Sequence, residues 1–97
     1  MKQYMIEIKL AQMTEEFYNL IPKQRRMVNQ LFEEGTILSY TLTDDFELLW
    51  IVIMAENEKE VVRIIEKFPL IEYMSYNIHT LVFHNMVSNR LPSISLN

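Results

Sequence analysis

The sequence predicts an α+β domain of ferredoxin-like βαββαβ order, with a four-stranded antiparallel sheet, two helices on one face, and two copies paired into a dimeric α+β barrel. Three observations predict it. Period-2 apolar stretches alternate with period-3.6 stretches in the order strand, helix, strand, strand, helix, strand. The 97 residues suffice for one domain and one core. The third strand is apolar at every position, so both of its faces need cover, although two helices cover only one face of a sheet.

The first strand covers residues 3–10, where Tyr4, Ile6, Ile8 and Leu10 alternate with Met5, Glu7 and Lys9. Thr14 is an N-cap with Glu15 and Glu16 in the first helical turn, and Phe17, Leu20, Ile21, Gln24, Val28, Leu31 and Phe32 then recur at helical spacing. That helix stops at Gly35, which tolerates the positive φ of a residue just past a helix end. Pro22 removes one backbone hydrogen bond inside it, which predicts a kink or a restart there. Residues 36–42 and 47–55 read as a hairpin around the turn formers Thr43, Asp44 and Asp45, followed by Phe46. Asn57 with Glu60 forms a capping box ahead of Val61, Val62, Ile64, Ile65 and Phe68, and Pro69 ends the second helix. The fourth strand runs from residue 74 or 75 to His84.

The usual strand order of this arrangement, 4-1-3-2, puts the two most apolar strands in the middle and leaves Ser39, Thr41, Asn77, His79 and Thr80 on the edges. Residues 1–87 form the domain, and residues 88–97 form a polar tail whose Ile94 and Leu96 suit packing on a partner subunit.

Composition excludes several function classes. Nine Lys and Arg against thirteen Asp and Glu give a net charge of −4, which repels phosphate backbones and anionic lipid, so neither nucleic acid nor membrane is an expected partner. The absence of Cys removes disulfides, thiolate nucleophiles and iron–sulfur ligation, and two His cannot build a three-His zinc site. A lone glycine excludes the glycine-rich phosphate loops. No cofactor or metal is expected. The longest apolar run, residues 48–55, is far short of the roughly 20 residues of a membrane span, and charges interrupt the N-terminal apolar residues. A cytoplasmic location is the expectation.

The block from Asn57 through Lys67-Phe68-Pro69-Leu70 to Tyr73-Met74, closing on Leu81 and His84, resembles the C-terminal half of the muconolactone isomerase family. That resemblance implies the dimeric ferredoxin-like barrel, often assembled into larger rings, and a metal-free proton shift next to a carbonyl. Such chemistry needs a base that returns its proton as an acid and a donor for the enolate oxygen.

Glu7, on the less apolar face of the first strand and so toward the barrel interior, and His84, which matches the family's His, are the catalytic candidates. A salt bridge of Glu7 to Lys9, Arg25 or a residue of a partner subunit is the structural alternative. His79 lies five residues before His84, so in a regular strand the two point to opposite faces. Tyr40 is either an oxyanion donor or a packed edge residue, and Trp50 either a pocket wall or part of the core or dimer interface. Arg25, beside Lys23 and Arg26, is the basic candidate for a carboxylate ligand or else part of a solvated helix face. His79, Tyr40, Trp50 and Arg25 are thus the binding candidates, with a small organic molecule as ligand. The acidic hairpin and the tail favour the alternative of a non-catalytic ligand-binding or oligomeric assembly module on the same fold.

Overall fold

A computed structural model describes residues 1–85. The domain limit expected at residue 87 and the tail 88–97 lie outside the described residues. The elements are β1 (Lys2–Leu10), α1 (Glu15–Glu33), β2 (Ile37–Leu42), β3 (Leu48–Ala55), α2 (Glu58–Ile65) and β4 (Met74–Thr80), with a 3-10 turn at Ile71–Tyr73 before β4. The strands lie in the order β2-β3-β1-β4, with every neighbouring pair antiparallel, so the two apolar strands occupy the centre as the sequence predicts.

Local chemistry sets the element ends. Thr14 Oγ1 accepts from Phe17 N–H at 3.2 Å and starts α1, and Gly35 takes φ +79° just beyond its end. The helix is unbroken through Pro22, with Phe17 on one side and Gln24 and Val28 on the other anchored in the interior. Asn57 Oδ1 accepts from Glu60 N–H at 2.9 Å, while Glu60 Oε1 reaches back to Glu56 N–H at 2.7 Å. α2 ends at Ile65, four residues ahead of Pro69. Its last turn tightens through bonds from Lys67 N–H to Ile64 and from Phe68 N–H to Ile65, which swing Phe68 into the core.

β4 is shorter than its sequence pattern. It stops at Thr80, and its ladder closes with Leu81 N–H on the carbonyl of Gln3, near the start of β1. His84 therefore lies past the strand rather than at its end. The core forms where Tyr4, Ile6 and Ile8 of β1 and Leu49, Ile51 and Ile53 of β3 meet Val28, Val61, Ile65 and Phe68 from the helical side. At about 25 cal/mol per Å² of apolar surface, each of these buried side chains contributes about 1.5–3 kcal/mol.

Candidate functional site

The side chains of the sheet separate into two sets, and each carries part of the candidate chemistry. On the helix side, a cavity of about 540 Å³ opens between α1 and the sheet. Phe17, Ile21, Val28, Leu49 and Leu70 supply apolar walls, and the half-exposed Tyr18, Phe32, Leu42 and Phe46 form its margin. Large apolar side chains left exposed around one opening mark a place that another apolar surface can fill.

Two polar groups of this cavity, Gln24 and Tyr40, form one short chain of hydrogen bonds, while Arg25 and Asn29 also line it. Gln24, 4% exposed, donates from Nε2 to the Tyr40 hydroxyl at 3.3 Å and accepts on Oε1 from Leu70 N–H at 3.2 Å. It thereby ties α1 to β2 and to the segment after α2. Burial pushes the Tyr40 hydroxyl above its ordinary pKa, a shift partly opposed by the Gln24 bond, so the phenol keeps its proton at neutral pH. Arg25 is exposed and lines the same cavity.

Tyr40 reaches this side through an irregularity. Ile37 pairs with Ile53 and Ser39 with Val52, so two steps along β2 match one along β3 and Leu38 is the extra residue of a bulge. Strict alternation from Ile37 would put Tyr40 on the opposite face. The bulge instead returns Tyr40, opposite Ile51, and Leu42, opposite Leu49, to the helix side.

The turn between β2 and β3 carries the cavity's outer edge. Thr43 Oγ1 donates to Asp45 Oδ1 at 2.6 Å and accepts from Leu48 N–H at 3.1 Å, and the same Asp45 oxygen accepts from Glu47 N–H at 3.0 Å. The Thr43 and Glu47 donors hold the Asp45 carboxyl below its usual pKa. Phe46 takes φ +62°, a left-handed conformation unusual for an aromatic residue, and its side chain lines the cavity mouth.

The other sheet face carries Met5, Glu7, Trp50, Val52 and His79. Met5 is paired with Val52 and His79, and Glu7 with Trp50 and Asn77. Glu7 Oε1 accepts from His79 Nε2 at 3.4 Å, and among the described residues this contact stands in place of one to Lys9 or Arg25. Trp50 is half-buried on this face and lines neither side of the cavity. His84 is half-buried beyond β4, and its Nε2 is enclosed without a hydrogen-bond partner among the described residues. The structure thus brings Tyr40 and Arg25 together on one face, and Glu7 and His79 together on the other.

Tyr73, prominent in the sequence motif, has a structural position. Its hydroxyl lies 3.2 Å from Thr14 Oγ1 and donates to Glu16 Oε1 at 3.4 Å, and its ring packs edge-on against Phe17 with centroids 5.2 Å apart. It closes the start of α1 against the start of β4. Gln24 is the site residue that sequence reasoning missed; its signal is a lone amide inside the otherwise apolar stripe of α1. Among the described residues no three His, Asp or Glu side chains converge as a metal site, and no helix is long and apolar enough to cross a membrane.

No protein family matches the sequence, and no curated protein matches it either. Among solved structures the chain is similar to a crystal structure of muconolactone isomerase, with a TM-score of 0.73 over 90% of this chain and 97% of that one, at 14% sequence identity. The chain has the muconolactone isomerase-like fold.

Proposed function

We propose that this protein binds a small, largely apolar organic molecule in the cavity between α1 and the sheet, as a homodimer or larger homo-oligomer. The observation that carries this reading is the opening of about 540 Å³ whose walls are apolar and whose interior polar groups converge at Tyr40 and Gln24. Pockets that hold small ligands combine such walls with a few placed polar groups. Leu42 tests it, because it lines the cavity yet is exposed enough for a charge to leave the core intact. Calorimetric titration with 1-acetylnaphthalene, a neutral aryl ketone, should give saturable binding that Leu42→Glu weakens at unchanged thermal stability. Equal binding by that variant would refute the reading.

The homo-oligomer accounts for the other face. Met5, Leu48, Trp50 and Met54, each half-buried in the single chain, form an apolar band around the already buried Val52 on the side of β1 and β3 away from the helices. A second copy packing its own band there would complete its burial, the arrangement that the resemblance to the muconolactone isomerase family implies.

A second reading is favoured by the 3.4 Å contact of Glu7 with His79. In it the protein catalyses a metal-free proton-transfer isomerisation of a lactone or related carbonyl compound, with Glu7 as the base and His84 or His79 as its partner. No Asp, Glu or His among the described residues lines the helix-side cavity, so the reaction would take place on the face away from the helices, between two copies. Glu7→Gln with loss of turnover and an unchanged oligomer is the result that this reading requires.

A further inference from the structure

The Gln24 amide has a single orientation open to it. Leu70 N–H can only donate, so the amide oxygen must face it, and the amide nitrogen then faces the Tyr40 hydroxyl. That nitrogen also can only donate. The Tyr40 oxygen is therefore the acceptor, and its own proton points away from Gln24, with no acceptor among the described residues. Tyr40 lines the cavity together with Arg25, a pure donor, and the exposed Asn29, whose amide oxygen makes no hydrogen bond to Tyr40; no carboxylate among the described residues lines it.

We infer that Gln24 is a positioning residue that fixes Tyr40 as a hydrogen-bond donor into the cavity, so that the site selects small apolar molecules carrying a carbonyl or carboxylate oxygen. The inference rests on the cavity being the binding site. A ligand with an acceptor oxygen completes the chain Leu70, Gln24, Tyr40, ligand, with each proton used once. A ligand of equal shape without that oxygen covers the half-buried phenol and leaves its proton unpaired, which costs binding.

A matched pair of probes tests it: 1-acetylnaphthalene and 1-isopropenylnaphthalene, which differ by C=O against C=CH2. The readout is the ratio of their affinities, which a purely structural role would leave unchanged. In Tyr40→Phe the ratio should fall about tenfold relative to the natural protein, by loss of one buried hydrogen bond. Gln24→Glu gives the sharper result, because an ionised carboxylate accepts from both Leu70 N–H and Tyr40 O–H and turns the phenol proton away from the ligand. A neutral acid there mimics the amide instead. The ketone preference of Gln24→Glu should therefore collapse as the pH rises from about 5 to about 9, while that of the natural protein holds.

An unchanged ratio in Tyr40→Phe, or a pH-independent ratio in Gln24→Glu equal to that of the natural protein, overturns the inference while leaving the cavity reading intact. Binding of neither probe, or binding insensitive to Leu42→Glu, overturns both.

Discussion

Glu7 and His79 meet diagonally across the β1–β4 pair: the Glu7 carboxylate accepts from His79 Nε2 at 3.4 Å, one step removed from their directly paired neighbours Asn77 and Met5. The His79 side chain is 54% exposed, so water screens the contact and it contributes little to folding. Glu7→Gln and His79→Asn should each lower stability by less than about 1 kcal/mol in urea unfolding. A larger loss would mean that the pair is buried by the partner subunit.

Gln24 is the opposite case. It is buried, and its removal leaves Leu70 N–H without its partner in the interior. Gln24→Ala should destabilise the fold by about 1–3 kcal/mol, several times the effect of Glu7→Gln in the same denaturation assay.

Trp50 carries the prediction on assembly. A charge in the band away from the helices leaves the core formed by Ile6, Ile51 and Phe68 untouched but opposes association of two such bands. Trp50→Lys should shift the protein to a monomer in sedimentation velocity while its far-ultraviolet circular dichroism stays the same.

Asp45 gives a pH dependence with a definite sign. Its carboxyl is held below the ordinary value of 3.8 by the Thr43 hydroxyl and Glu47 N–H, so the unfolded chain binds the proton more readily than the folded one. The charged form therefore stabilises the turn above pH 3.8, and this contribution is lost as the pH falls through the depressed folded value. The stability difference between the natural protein and Asp45→Ala should be present at neutral pH and shrink on acidification below that point.

Phe46 combines strain with position. Its φ of +62° costs about 1–2 kcal/mol for a residue with a Cβ, and its ring stands half-exposed at the cavity mouth. Phe46→Gly should raise or preserve stability while weakening 1-acetylnaphthalene binding. A loss of stability with unchanged binding would show that the ring serves the fold instead.

The fold was legible in the residues because each element carries its own period and its own ends. Tyr4, Ile6 and Ile8 alternate, Thr14 and Asn57 cap, and Gly35 takes the positive φ expected of it. The expected central positions of the first and third strands are those of β1 and β3. The site was less legible because it depends on parity and register. The bulge at Leu38 reverses the face of Tyr40, and only the adjacent apolar pair Ile37-Leu38 hints at it. The Glu7–His79 contact joins residues far apart in sequence whose meeting depends on the exact β1–β4 register. His84 drops out of the strand because β4 loses its ladder partner near Gln3, a length that the side-chain pattern of β4 does not encode.

Chemical-shift mapping of the 15N-labelled protein during titration with 1-acetylnaphthalene locates the bound ligand. Binding in the helix-side cavity should place the largest perturbations on Val28, Tyr40, Leu49, Leu70 and the side-chain amide of Gln24, the groups around it. Perturbations confined to Met5, Glu7, Trp50 and His79 would contradict it and move the binding site to the opposite face of the sheet.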